Sequence, residues 1–139
     1  MLIHSIEDQL ILHEGLRLKP YRCTEGKLTI GVGRNLDDRG INKAEALYML
    51  DTDINLVKGA LGYQWYHDMD PVRKKVIIDM VFNLGLNGFL QFQKTIKALQ
   101  TGDYLTASKE MLDSKWANQV GSRAVRLSKM LMTGEDYRG

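Results

Sequence analysis

The sequence has little of what marks several protein classes. It contains one cysteine, and a single thiol cannot close an internal disulfide. With two prolines and 13 glycines it is not a low-complexity chain, and no run approaches the roughly 20 apolar residues of a membrane span. The net charge of +2 is too small to indicate nucleic-acid binding. The 139 residues are therefore expected to fold around an apolar core, as one domain or two small lobes.

The beginning of the sequence does not have the pattern of a secretory signal. No basic segment precedes the first apolar residues, and Glu7 and Asp8 interrupt them. We expect neither a signal peptide nor membrane insertion.

The first third of the chain predicts one helix and a small sheet. Ser5 followed by Asp8 is typical of a helix start, and Gly15 of a helix end, so a helix is expected over 5–14. Glycines separate short β-prone segments across 20–34, which predicts a hairpin-like sheet.

The chain from residue 42 onward predicts helices alone. Asn42 can cap a long helix that extends to about residue 61. Asp70 before Pro71 should start a core helix, apolar around much of its circumference, which Gly85 and Gly88 end. The further helices are expected at about 89–99, 103–113, 114–119 and 122–132.

Six motifs follow one another along the chain. They are HEGLRLKPY at 13–21, TEG at 24–26, TIGVG at 29–33, MVFNLG at 80–85, SKW at 114–116 and SRA at 122–124. In this order they resemble the phage-type lysozymes of glycoside hydrolase family 24, the T-even phage muramidase group. The resemblance implies an α+β fold with a small β lobe (about 14–40), a connecting helix (about 42–61) and a helical lobe. The helical lobe would comprise 62–139 and the N-terminal helix, with a saccharide cleft between the lobes.

The resemblance also implies an activity and a setting. The substrate would be peptidoglycan, cut at the β-1,4 bond between N-acetylmuramic acid and N-acetylglucosamine, with no cofactor and no metal. The protein would be a monomeric phage or prophage endolysin, made in the host bacterial cytoplasm and active in the periplasm and cell wall. A holin-type pore would be its functional partner, giving access to the wall.

Three residues match the catalytic spacing of this family. Glu14 is followed after eight residues by Cys23, and Cys23 after five residues by Thr29. Glycoside cleavage needs a protonated acid that donates to the leaving oxygen. Glu14 suits that role because the C-terminal end of a helix, and partial burial against the sheet, both favour a protonated carboxyl.

Cys23 stands where many members of the family have aspartate, and two mechanisms are open. In the first, water attacks the sugar opposite Glu14, held by Thr29 and weakly by Cys23, and the anomeric configuration inverts. In the second, the Cys23 thiolate attacks carbon, and retention follows through a thioglycoside. We favour the first, because a thiol with its ordinary pKa is mostly protonated at neutral pH.

Five further residues match positions of the family that bind or line the sugar. Arg123 corresponds to an arginine that approaches the catalytic glutamate, and Trp116 is expected in the core. Asn35 and Glu110 differ in residue type from the T-even enzyme, and packing and sugar binding are equally compatible with Phe82. The sugar-lining positions are Asn35, Phe82, Thr95 and Glu110.

Other functions compete with hydrolysis. A lytic transglycosylase would share the acid but form a 1,6-anhydro product, and a relative without activity could bind peptidoglycan alone. A cysteine hydrolase would need one of the three histidines as a base, but no known signature surrounds Cys23.

Overall fold

The computed structural model describes residues 5–138. These residues form eight helices and one three-stranded antiparallel sheet. The strands are β1 (Arg17–Arg22), β2 (Leu28–Gly31) and β3 (Arg34–Asn35). The helices are α1 (Ile6–Glu14), α2 (Lys43–Ala60), α3 (Gln64–His67), α4 (Pro71–Leu90), α5 (Gln93–Gln100), α6 (Tyr104–Leu112), α7 (Lys115–Val120) and α8 (Ser122–Thr133). The predicted α+β class, mostly helical with a small sheet, is confirmed.

Local signals in the sequence set the helix ends. The Ser5 hydroxyl accepts the Asp8 amide at 3.0 Å at the start of α1, and Gly15 ends that helix with φ 79°. The Asp70 carboxylate accepts the Arg73 amide at 3.1 Å, with a proline in the first turn of α4. These caps lie where the sequence places them, since they depend only on residues within one turn.

The chain divides into two compact units between Met49 and Leu50. In the first unit the sheet has the strand order β1, β2, β3, so β2 is central. Thr29 of β2 is paired with Tyr21 on one side and with Asn35 on the other. β1 begins at Arg17, three residues before the predicted sheet, and it can contain Pro20 because it is an edge strand.

An ion pair holds the start of α2 against β3. Arg34 donates to both carboxylate oxygens of Glu45, at 2.9 and 2.6 Å, and to the Gly40 carbonyl at 3.2 Å. Glu45 and Asn42 also cap the helix reciprocally, with N–H to oxygen distances of 2.9 and 2.8 Å. The loop between β3 and α2 is thereby fixed by contacts at both of its ends.

The core of the second unit is built around α4. Trp116 is buried as predicted, and its indole N–H donates to Asn83 of α4 at 2.8 Å. The backbone at Gly85 is not helical (φ 76°, ψ 160°), so the core helix ends there as predicted, and a second short helical segment continues α4 to Leu90. The short α3 is not predicted by the sequence. The buried residues of α4 are Val76, Ile77, Met80, Val81 and Phe89.

Within residues 5–138, no helix combines the length and the apolar character that a membrane span requires.

Candidate active site

Glu14 is the last residue of α1, and its side chain lies over the turn between β2 and β3. An ideal Cβ built on Gly33 would be 2.7 Å from Oε2 of Glu14 and 3.2 Å from its Cδ. The carboxyl group therefore occupies the space that a side chain at position 33 would fill. The partial burial predicted for Glu14 is wrong, since the residue is exposed.

Cys23 lies directly after β1 and is partly buried. Its amide donates to the Lys27 carbonyl at 2.9 Å, which closes the loop to β2. Backbone hydrogen bonding from Glu25, then from Lys27, lowers the pKa of the Cys23 thiol, and the Thr29 hydroxyl acts in the same direction. Burial and the Glu25 charge oppose this shift. From the sequence an ordinary pKa is expected for this thiol, because hydrogen bonding to backbone groups cannot be read from the sequence.

Thr29 is almost wholly buried in the central strand, with 4 % of its surface exposed. Its hydroxyl donates to the Lys27 carbonyl at 2.9 Å. Because a hydroxyl has one hydrogen, the oxygen in this geometry can only accept from a further partner. A water molecule bound by Thr29 would then direct a hydrogen toward it and keep a lone pair free.

Asn35 lies opposite Thr29 in the sheet, but its amide group is already engaged. Its Nδ2 donates to the Asp38 carboxylate at 3.0 Å, and its Oδ1 accepts the Asp38 amide at 3.0 Å. Asp37 accepts the Leu28 amide at 2.7 Å. The two aspartates thus brace the loop after β3, and Asn35 is held in a fixed orientation.

The structure brings Thr95 and Glu110 together in the second unit. Both line a cavity of about 360 Å³ between α5, the end of α4 and α6. Thr95 is 2 % exposed, so only a small part of its surface faces the cavity. Most of the residues that line this cavity are polar. The other lining residues are Gln91, Phe92, Gln93, Lys94, Asp113 and Ser114.

Phe82 and Arg123 line a different cavity of the second unit, also of about 360 Å³. Phe82 is 44 % exposed, so it is not a core residue. The Nε and Nη2 atoms of Arg123 contact one carboxylate oxygen of Asp79, at 2.8 and 2.6 Å. The approach of Arg123 to Glu14 stays a prediction. Asp79 is not among the site residues predicted from the sequence. An acidic residue among the apolar positions of α4 could have indicated it.

The first unit thus carries an acid at a helix end and a small sheet with a thiol and a buried hydroxyl. The chain belongs to the phage lysozyme family, whose profile matches residues 12–130 and so covers every candidate site residue.

Three curated relatives agree with this assignment. "Probable T4-type lysozyme 1" of Dictyostelium discoideum is 28% identical, covering 96% of each chain. "Endolysin" of Acyrthosiphon pisum secondary endosymbiont phage 1 is 34% identical over 83% of this chain and 81% of its own. "SAR-endolysin" of Escherichia phage Mu is 28% identical over 92% and 80%. The protein is therefore a peptidoglycan-degrading hydrolase of the lysozyme type.

Proposed function

We propose that this lysozyme hydrolyses the β-1,4 bond between N-acetylmuramic acid and N-acetylglucosamine, with Glu14 as the general acid. The observation that carries the proposal is the position of the Glu14 carboxyl. It lies exposed at the end of α1 and rests on the backbone of a turn, where it can reach a polymer in solvent. In the proposed step Glu14 gives its proton to the bridging oxygen as the bond to the anomeric carbon breaks.

Water completes the reaction in the proposed mechanism. Thr29, whose hydrogen is directed at the Lys27 carbonyl, accepts a hydrogen bond from this water and Cys23 assists. The water adds to the anomeric carbon and releases a proton to the solvent, and the solvent returns a proton to Glu14, so that one molecule of water is consumed for each bond cut. The lowered pKa of Cys23 supports a second mechanism in which the thiolate is the nucleophile.

The two cavities of the second unit supply the proposed sugar contacts. Thr95 and Glu110 would bind an amino sugar in the polar cavity, while Phe82 would stack on a sugar ring. Arg123 would contact the sugar beside Phe82, and Asp79 would hold the Arg123 guanidinium in place. Asn35, held by Asp38, would contact the glycan from the sheet.

The biological role that we propose is that of an endolysin. It would accumulate in the host cytoplasm, pass through a lesion made by a holin-type pore, and act on the cell wall as a monomer. It would need neither a cofactor nor a nucleic-acid partner.

Replacement of Glu14 tests the proposal. Glu14→Gln keeps the shape of the side chain but removes the transferable proton, so we expect clearing of peptidoglycan in a zymogram to fall by roughly 10²- to 10⁴-fold. Glu7→Gln is the matched control, because Glu7 is an exposed acid in the first turn of the same helix. Both variants should unfold at similar temperatures. Full clearing by a folded Glu14→Gln variant would contradict the assignment of the acid.

A further inference from the structure

We infer that Gly33 is a positioning residue for Glu14: the missing side chain at position 33 creates the space in which the carboxyl group lies. This inference rests on the proposed role of Glu14 as the acid. It adds a second requirement for catalysis, at Gly33, which has no side-chain functional group.

The distances show how closely the carboxyl group approaches the turn. A Cβ on Gly33 would lie 2.7 Å from Oε2, 3.2 Å from Cδ and 3.3 Å from Cγ of Glu14. Carbon and oxygen atoms that are not bonded do not approach to 2.7 Å without repulsion. Any L-residue at position 33 would therefore displace the end of the Glu14 side chain.

The consequence for the fold differs from the consequence for catalysis. Glu14 is exposed and its side chain has several rotatable bonds, so its carboxyl can move away at small cost to stability. The same movement takes the proton donor away from its position. Misplacement by about 1 Å of a catalytic group can cost on the order of 100-fold in rate.

A second glycine, Gly31 at the end of β2, provides the control. Gly31 has φ 69° and Gly33 has φ 66°, so both lie in the left-handed region and both resist replacement for the same backbone reason. A Cβ on Gly31, however, would meet no atom within 4 Å. The two positions therefore share the backbone strain and differ in the contact with Glu14.

The test compares Gly33→Ala with Gly31→Ala in the whole protein. We expect similar falls in melting temperature, but a loss of kcat on soluble glycan fragments that is tenfold or more larger for Gly33→Ala. KM should change by less than about twofold in both, because the acid acts on the transition state more than on binding. The pH–rate profile should change shape only for Gly33→Ala, because only this variant changes the surroundings of the Glu14 carboxyl.

A crystal structure of each variant gives a readout that does not depend on activity. We expect the Glu14 carboxyl to be displaced in Gly33→Ala and unmoved in Gly31→Ala. If Gly33→Ala does not fold, Gly33→Asn and Gly31→Asn replace the pair, because asparagine tolerates positive φ.

The outcomes separate this inference from the proposed function. Equal kcat values, with Glu14 unmoved in Gly33→Ala, would overturn the role of Gly33 even if Glu14→Gln is inactive. Conversely, an active Glu14→Gln variant would overturn the proposed function, whatever the alanine variants show.

Discussion

At the scale of single residues, Cys23 has the most informative environment. Its pKa is lowered by backbone hydrogen bonding, from Glu25 first and then from Lys27. Such donors favour an anion of any kind and not only a thiolate. The loop between β1 and β2 is therefore suited to a carboxylate as well as to a thiolate.

The environment of Cys23 predicts how its substitution changes activity. We expect Cys23→Asp to preserve or raise activity, because the same donors can orient a carboxylate. Cys23→Ala should lower activity on the order of tenfold, since it removes the hydrogen-bonding atom beside Thr29.

Clearing of peptidoglycan turbidity at matched folded concentration measures both effects. Thr24→Ala is the control, because Thr24 is the exposed neighbour of Cys23. An alanine variant at position 23 with unchanged activity would exclude a catalytic role for the thiol.

At the scale of elements, the contact between β3 and α2 is set by charge. Arg34 and Glu45 form a two-pronged ion pair, and the amide of Asn42 adds a third hydrogen bond to the same carboxylate. Hydrogen bonding from Arg34, followed by that from Asn42, lowers the pKa of Glu45 to about 2. The carboxylate thus stays charged in the folded state under conditions where it would be protonated in the unfolded chain.

This shift predicts how the stability depends on pH. Because the folded pKa of Glu45 is about 2 and its ordinary value is 4.5, the ion pair contributes fully above about pH 5. The contribution is lost as the pH falls from about 5 toward 2. We expect Glu45→Gln to melt at a lower temperature than the wild type at pH 7.

Thermal unfolding followed by circular dichroism between pH 7 and about pH 2 tests this prediction. The difference between Glu45→Gln and wild type should shrink as the pH falls. Asp53→Asn, an exposed substitution in the same helix, is the control and should show no comparable trend. A difference that is constant over the whole range would contradict the assigned role of the ion pair.

The predicted elements agree with the structure where short-range signals decide them. Ser5, Asp70 and the glycine after α1 act within one turn of their helices, so their effect could be read from the chain. The start of β1 and the short α3 could not be predicted from the sequence. An edge position in a sheet and the packing of a short helix depend on partners that are distant in the chain.

At the scale of the whole molecule, the reaction product distinguishes the competing functions. A hydrolase releases fragments with free reducing ends, whereas a transglycosylase releases 1,6-anhydro fragments that are lighter by one water. We expect reducing ends, because Thr29 is oriented to accept a hydrogen bond from an attacking water.

Mass spectrometry of the released muropeptides distinguishes hydrolysis from transglycosylation. Proton NMR during digestion identifies the anomer that forms first. Water attack opposite Glu14 should give the α-anomer first, by inversion of the β-1,4 bond. Glu14→Gln is the blank for both measurements. An initial β-anomer would favour the thioglycoside mechanism, and anhydro fragments would contradict hydrolysis altogether.

The sequence by itself determined the family, the helix caps and the candidate residues, because motifs and caps are read over a few neighbouring positions. Only the tertiary structure decided which of the candidate residues lie close to one another and what they contact. It paired Arg123 with Asp79 across 44 positions, placed Thr95 with Glu110 in one cavity, and set Glu14 on Gly33. The physical reason is that such contacts arise from the packing of elements far apart in the chain, and local patterns do not encode their distances.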